Sequence, residues 1–244
     1  MGCTATKVAP PDSDVIVAKK EAGGPRPATP LIEEDTTDST SSTRLSSPLV
    51  GAAHKVAAAA GPSVDGWVGD YRGRGVGRGK RVFADGVYYE GEWKDGVRFG
   101  QGKQVWPDGR RYDGGWEQDN MDGSGRDLHA NGNSYEGQFK AGLYHGKGRY
   151  RYGDGMSYEG EYKEGKYHGR GKFTWANGHV MLTKYDADRP VGQGVGWTAD
   201  RTKAVELLDG TPGRTISLDE AEAIAARIGL PVPERGMPLC FFGA

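Results

Sequence analysis

The stretch YEGEYKEGKYHGRGKFTWANG, residues 158–178, decides the fold of this chain. It opens with a tyrosine, a glycine two positions on and an aromatic residue two further, and the same triplet recurs at a period of 23 residues. The four triplets are Tyr89, Gly91, Trp93; Tyr112, Gly114, Trp116; Tyr135, Gly137, Phe139; and Tyr158, Gly160, Tyr162. A fixed period of this length predicts a repeat architecture, in which each copy buries its apolar surface against its neighbours.

Each copy has the pattern of two antiparallel strands. From Tyr89 onward apolar and polar residues alternate, which predicts a strand with one apolar face and one wet face. After a turn around Asp95-Gly96, a second run begins at Gly100 and ends before Asp108-Gly109, a dipeptide typical of tight hairpin turns. The sequence therefore predicts an all-β, elongated meander of antiparallel β-hairpins, joined alternately by these tight turns and by somewhat longer loops.

Glycines recur on the same face as the aromatic residues, at fixed offsets in both strands of each copy. Glycine normally weakens the interior of a strand, so its place here requires a reason. Rings from neighbouring strands can lie over the bare backbone at a glycine. We therefore expect valine at Gly137 or Gly160 to collide with the packed rings.

The whole pattern closely resembles the MORN repeat family (membrane occupation and recognition nexus). It reads Tyr-x-Gly-x-aromatic, glycine, His-Gly-x-Gly, an aromatic residue and Asn/Asp-Gly. The best copies are residues 89–111, 112–134, 135–157 and 158–180. The first of these has Phe99 and the second has Asp122 where the histidine falls. The resemblance implies a MORN-type β-solenoid over residues 65–200, with degenerate copies at 66–88 and 181–200.

The segments on either side of the repeats differ from them in composition. Residues 1–64 shift among Pro, Ser, Thr, Ala and mixed charge without a sustained period, so we expect a disordered N-terminal tail. Residues 201–244 are predicted to form a C-terminal cap with one short helix at about 217–228. Ser217 and Glu220 have the spacing of a capping box. The apolar stripe of this helix should dock on the exposed end of the solenoid.

The first six residues, Met-Gly-Cys-Thr-Ala-Thr, fit the pattern for N-myristoylation at Gly2. One myristoyl chain gives only marginal membrane binding, on the order of 10⁴ M⁻¹, so a palmitoyl group on Cys3 would make the anchor stable. These residues predict a protein tethered to the cytoplasmic face of a membrane. The alternative is that a short Met-Gly start matches by chance.

Composition argues against several classes of function. The formal net charge is −1, so no basic field favours nucleic acid as a partner. The only two cysteines, Cys3 and Cys240, lie at opposite ends of the chain and fit neither a zinc site nor a disulfide framework. No phosphate-binding loop or nucleophile elbow is present. We therefore predict no enzymatic activity, no cofactor and no metal.

The resemblance also implies a function, because MORN-like proteins serve mainly as membrane-proximal scaffolds and as cytoskeletal or ciliary adaptors. We expect a non-enzymatic scaffold whose aromatic face binds a protein partner. That partner could be a helix in a groove or another MORN solenoid joined through an edge, which includes a homodimer. Two alternatives stay open: a soluble structural component of a ciliary or cytoskeletal assembly, and a module that binds phospholipid directly.

One copy departs from the aromatic pattern. It carries Asp127 and His129 where the next two copies place Tyr150 and Tyr152, or Phe173 and Trp175. These two polar residues indicate either a degenerate repeat that the fold tolerates or a polar contact for a partner bound on the aromatic face. The predicted partner-binding residues are Tyr89, Trp93, Trp106, Tyr112, Trp116, Asp127, His129, Tyr135, Phe139, Tyr150, Tyr152, Tyr158, Tyr162, Phe173 and Trp175.

Overall fold

The computed structural model describes residues 74–233 and, as backbone only, residues 66–68. The predicted disordered tail, with Gly2 and Cys3, lies outside the described residues, as do residues 234–244. Residues 69–73 also lie outside them.

Within the described residues, fourteen strands form one antiparallel sheet in which each strand pairs with its neighbours in chain order. This confirms the predicted all-β meander of hairpins. At about 4.8 Å between strands, the sheet measures roughly 60 Å across its strands. The strands are β1 Gly66–Val68, β2 Val76–Val82, β3 Tyr88–Lys94, β4 Val97–Val105, β5 Arg111–Glu117, β6 Asn120–Leu128, β7 Ser134–Lys140, β8 Leu143–Arg151, β9 Ser157–Lys163, β10 Lys166–Thr174, β11 Val180–Asp186, β12 Arg189–Trp197, β13 Ala204–Leu208 and β14 Thr211–Ile216.

The two kinds of turn are the reverse of the prediction. The connection at Asp95-Gly96 is the tight one: two residues join β3 to β4, and both have positive φ, 50° and 90°. The connection that contains Asp108-Gly109 is five residues long, and there only the glycine has positive φ, 94°. The Asp108 carboxylate instead accepts a hydrogen bond from the Arg110 amide at 2.9 Å. The Asp-Gly signal thus marks a type I turn followed by a left-handed glycine.

The tyrosine that opens each copy is fully buried, and its ring lies over the two glycines of its own hairpin. A Cβ atom at Gly171 would fall 2.5 Å from the ring of Tyr158, and the four copies repeat this arrangement. The Tyr158 hydroxyl donates to the carbonyl of Glu161 at 3.1 Å. The glycines are therefore required by the close approach of the ring, as the sequence predicted, although the ring comes from the same hairpin.

The tyrosines also form a continuous edge-to-face ladder along the sheet. Tyr135 packs against Phe139 of its own strand with ring centroids 5.1 Å apart, and against Tyr162 of the next copy at 5.1 Å. The same two contacts occur in every copy from Tyr89 to Tyr185. Edge-to-face pairs add roughly 0.5–1.5 kcal/mol each beyond burial, so the ladder couples neighbouring copies.

The C-terminal part differs from the prediction in two respects. The region assigned to the cap begins with a further hairpin, β13–β14, which extends the sheet around Asp209-Gly210. Helix α1, Leu218–Ile228, begins at the predicted capping box of Ser217 and Glu220. It packs across β11–β13 on the sheet face opposite the tyrosines and does not cover the end of the sheet. The reason is that Leu182 and Val195 provide an apolar patch on that face for the helix stripe.

Candidate protein-interaction site

The two faces of the sheet have opposite chemical character. We call the face that carries the tyrosine ladder the aromatic face. Its buried side chains form one cluster that runs from Tyr89 to Leu207. We call the opposite one the outer face, where charged residues such as Glu159 and Lys172 stand exposed. Among the described residues the single helix lies on the outer face, so no second layer covers the aromatic face.

All the predicted partner-binding residues lie together on the aromatic face, but most of them are buried. Trp106 and His129 are half-buried, and the side chains of all the others are buried by neighbouring rings. Asp127 belongs to the buried group, with 0 % of its surface exposed. Buried residues shape a surface and hold it rigid, whereas a partner can touch only what is exposed. Partner binding by these residues stays a prediction.

The accessible part of the aromatic face is a row at one margin of the sheet. Phe83, Trp106 and Met156 lie in the five-residue connections at this margin, are only partly buried and pack against the core cluster. The guanidinium of Arg110 lies over the Trp106 ring, 4.5 Å from its centroid. This row combines apolar rings with a cation held in place, which are the residue types that dominate binding hot spots.

A polar inset interrupts the rings at the centre of the aromatic face. The Asp127 carboxylate accepts hydrogen bonds from Arg110 Nε at 3.0 Å and Nη2 at 2.7 Å. The Tyr144 hydroxyl lies 3.2 Å from the same carboxylate and 2.9 Å from His129 Nε2. We refer to Arg110, Asp127, His129 and Tyr144 as the polar inset. A bidentate pair with further hydrogen bonds is what a buried carboxylate needs.

Burial sets the protonation behaviour of the polar inset. Desolvation lowers the pKa of His129, and the negative charge of Asp127 only partly opposes it. Burial, with the charge of Asp127, raises the pKa of the Tyr144 hydroxyl well above its usual value. For Arg110, burial lowers the pKa, but the hydrogen bond and charge of Asp127 outweigh it and raise the pKa. Near neutral pH the inset therefore holds a neutral imidazole and a neutral phenol beside an ion pair.

A second buried polar group escaped the sequence reasoning. Arg98 donates from Nε to Asp119 at 2.9 Å and from Nη1 to Gln104, and its guanidinium lies over the Trp116 ring. The signal was present in the sequence: Arg98 stands at the repeat position that Tyr144 and Tyr167 occupy, and Arg110 stands two residues before Tyr112. Aligning the copies at every position, rather than at the tyrosines alone, reveals both arginines.

In the part of the chain that the structure describes, no three His, Cys, Asp or Glu side chains are grouped as a metal site would require. Its one helix, 11 residues long, is too short to cross a bilayer. The carboxylate of Asp127 and the imidazole of His129, 3.4 Å apart, are held by Arg110 and Tyr144 inside the sheet. What the site offers is a rigid aromatic surface.

These features define an open-sheet repeat protein with one aromatic face. The family is given by sequence: residues 89–110, 112–134, 135–157 and 158–180 match the MORN repeat. Residues 89–180 of this chain therefore carry four MORN repeats, and the MORN repeat is a non-catalytic module for interaction with proteins or membranes. No curated protein matches it by sequence.

Two solved structures show a partial likeness to this chain. One is the TCP domain of SAS-4 (dCPAP) of Drosophila melanogaster, in complex with a proline-rich motif of Ana2 (dSTIL). It has 8 % identity and a TM-score of 0.34, over 72 % of this chain and 97 % of that one. The other is the TCP10 domain of Danio rerio CPAP with a peptide of STIL, at 16 % identity and a TM-score of 0.26, over 57 % and 66 %. Scores at this level assign neither a shared fold nor a function.

Proposed function

We propose that this protein is a non-enzymatic scaffold that binds a protein partner through the aromatic face of its MORN repeats. The observation that carries the proposal is the uncovered aromatic face itself. Within the described residues helix α1 packs on the outer face, and the aromatic face presents the half-buried row of Phe83, Trp106 and Met156 to solvent.

The row also indicates the chemistry of the partner. An apolar side chain can pack against Trp106 and Met156, both of which retain exposed surface. His129, whose side chain is 22 % exposed, is the polar group of the inset nearest to solvent. The buried tyrosines beneath the row are held by edge-to-face contacts and hydrogen bonds, so little conformational entropy is lost when a partner binds. A partner segment with one or two large apolar side chains and a hydrogen-bonding group fits this surface.

Site-specific photocrosslinking in native cells tests which face binds. A benzophenone amino acid is placed at Phe83 or Trp106 on the aromatic face and, as matched controls, at Lys103 or Arg126 on the outer face. We expect Phe83 and Trp106 to crosslink to the same protein and the two controls to give none of it. Crosslinks that arise from the outer-face positions alone would contradict the proposal.

We further propose that acylation at Gly2, with a second acyl chain on Cys3, tethers the scaffold to the cytoplasmic face of a membrane. The support is the amino-terminal sequence, which lies outside the described residues, together with the general association of MORN repeats with membranes. Membrane fractionation of the wild-type protein and of Gly2→Ala tests the tether. We expect the variant to move to the soluble fraction; retention on the membrane would rule out acylation as the anchor.

A further inference from the structure

A groove on the outer face lies apart from the proposed partner site. It encloses about 560 Å³ and runs along β8, β9 and β10, beside the end of α1. Gly148 and Gly160, which have no side chains, lie along its floor. Leu182 and the residues that follow the helix, Leu230 and Pro231, form an apolar wall at one side.

The lining of the groove carries more positive than negative charge. Its cations are Lys147, Arg149, Arg151, Arg170 and Lys172, and its acids are Glu136, Glu159 and Glu161. Glu159 pairs with Lys172 at 3.1 Å, and Glu161 pairs with Arg170 at 3.1 Å. Within residues 74–233 the side chains of Lys147 and Arg151 form no ion pair. Glu136 forms none either, so the lining as a whole has two more cations than acids.

The central row of the outer face is balanced in charge. One row of residues crosses the sheet from strand to strand, and its charges alternate strictly in sign. The row is Lys80, Glu90, Lys103, Asp113, Arg126, Glu136, Arg149, Glu159 and Lys172. Opposite charges on facing strands stabilise a sheet locally. Lys147 and Arg151 lie on either side of this balanced row, so they add two cations to it at the groove.

We propose that the groove binds the chain's own acidic segment, Leu31–Asp35, whose sequence is Leu-Ile-Glu-Glu-Asp. This segment contains the only run of three consecutive acidic residues in the chain. Its carboxylates complement Lys147, Arg149 and Arg151, and its two aliphatic residues complement the apolar wall. Exposed ion pairs are individually weak. A tethered segment nevertheless has an effective concentration of about 1 mM, so a weak contact is enough to fill the groove.

The chain is long enough to make this contact. Residues 36–65 join the segment to β1, and thirty residues span up to about 100 Å when extended. The groove centre at β9 lies eight strand spacings from β1, roughly 40 Å away. While the segment is bound, an acidic ligand from another protein would have to displace it.

Carbodiimide crosslinking of the full chain tests the proposal, because this reagent joins a carboxylate to an amine without a spacer. We expect crosslinks from Glu33, Glu34 or Asp35 to Lys147. The double variant Arg149→Gln with Arg151→Gln should lower their yield at least fivefold. The matched control is Arg78→Gln with Arg111→Gln, which removes two cations of the outer face away from the groove and should leave the yield unchanged.

Three outcomes would overturn the proposal. The first is crosslinking to Lys147 that is no stronger from the acidic segment than from Asp12 and Asp14, the other acidic pair of the tail. The second is a yield that the groove variant leaves unchanged while its melting temperature matches the wild type. The third is seen in an equal mixture of ¹⁴N and ¹⁵N protein: light–heavy crosslinks as abundant as the light–light and heavy–heavy ones together would assign the segment to a second copy.

Discussion

Copies 112–134 and 158–180 share one backbone but differ in what they bury on the aromatic face. In the first, Asp127 lies between the ladder tyrosines Tyr112 and Tyr135 and depends on Arg110 for its counter-charge. In the second, Phe173 holds the same position and packs against Trp175 and the neighbouring rings. The hairpin, the turns and the tyrosine over its glycines are the same in both copies.

This difference separates what the repeat requires from what it tolerates. The tyrosine and its two glycines are required together, because the ring fills the space that a side chain at either glycine would take. The position that Asp127 and Phe173 occupy is not part of this tyrosine–glycine unit, and it accepts either a charged or an aromatic residue. A charge is tolerated only with its partners, so Arg110, Asp127, His129 and Tyr144 must be treated as one group.

The largest effect is expected from breaking the ion pair of the polar inset. Arg110→Ala leaves the Asp127 carboxylate fully buried and without its bidentate partner. Removing one member of a buried pair typically costs about 3–5 kcal/mol. We expect a loss of that size in the free energy of unfolding, measured by urea denaturation of the full chain.

A double variant is the control for this prediction. Arg110→Met with Asp127→Phe introduces the residues that Met156 and Phe173 place at the equivalent positions two copies further on. Replacing a buried pair by apolar residues of suitable volume is often neutral or stabilising. We expect stability within about 1 kcal/mol of the wild type or above it. A double variant as unstable as Arg110→Ala would mean that the inset is required for packing.

A smaller effect, equal in the two copies, is expected at the glycines. A Cβ atom would lie 2.4 Å from the Tyr112 hydroxyl at Gly125, and 2.5 Å from the Tyr158 ring at Gly171. Overpacking a core typically costs 1–3 kcal/mol, so we expect each alanine variant to lose about 2–3 kcal/mol in urea unfolding. At Gly213 in β14 the nearest atom is 3.3 Å away, and alanine there serves as the control. Markedly unequal losses in the free energy of unfolding at Gly125 and Gly171 would show that the two copies do not share the same tyrosine–glycine packing.

The sequence predicted the repeated unit well because its signals are local and recur in every copy. The tyrosine period, the glycine offsets and the capping box at Ser217 each depend on residues close together in the chain, and the structure confirms them. The hairpin at Asp209-Gly210 was missed because its strands lack the tyrosine triplet. The position of the helix was missed because it depends on which face of β11–β13 is apolar.

The partners of the polar inset were missed for a related reason. Arg110 reaches Asp127 across 17 residues of sequence, and Tyr144 reaches it across the same separation in the other direction. Each of these side chains, taken alone, looks like an ordinary residue of a strand or a turn. Only the register, which places Asp127 opposite both Tyr112 and Tyr135, brings them together.

The smallest effect on the free energy of unfolding is expected from a change of pH, and it arises from His129 in the copy that contains the polar inset. Burial lowers the pKa of His129, with Asp127, Tyr144 and Arg110 as the groups around its ring. In acid the unfolded chain therefore takes up a proton at about pH 6.5 while the folded protein resists it, so stability falls as the pH drops below that value. We expect the wild type to lose up to about 1 kcal/mol more of its free energy of unfolding than His129→Trp between pH 7.5 and pH 5.5.

Tryptophan is chosen for the control variant because copies 89–111 and 158–180 have it at this position. Equal losses in the two proteins, measured by urea unfolding at both pH values, would show that His129 titrates alike in the folded and unfolded chain.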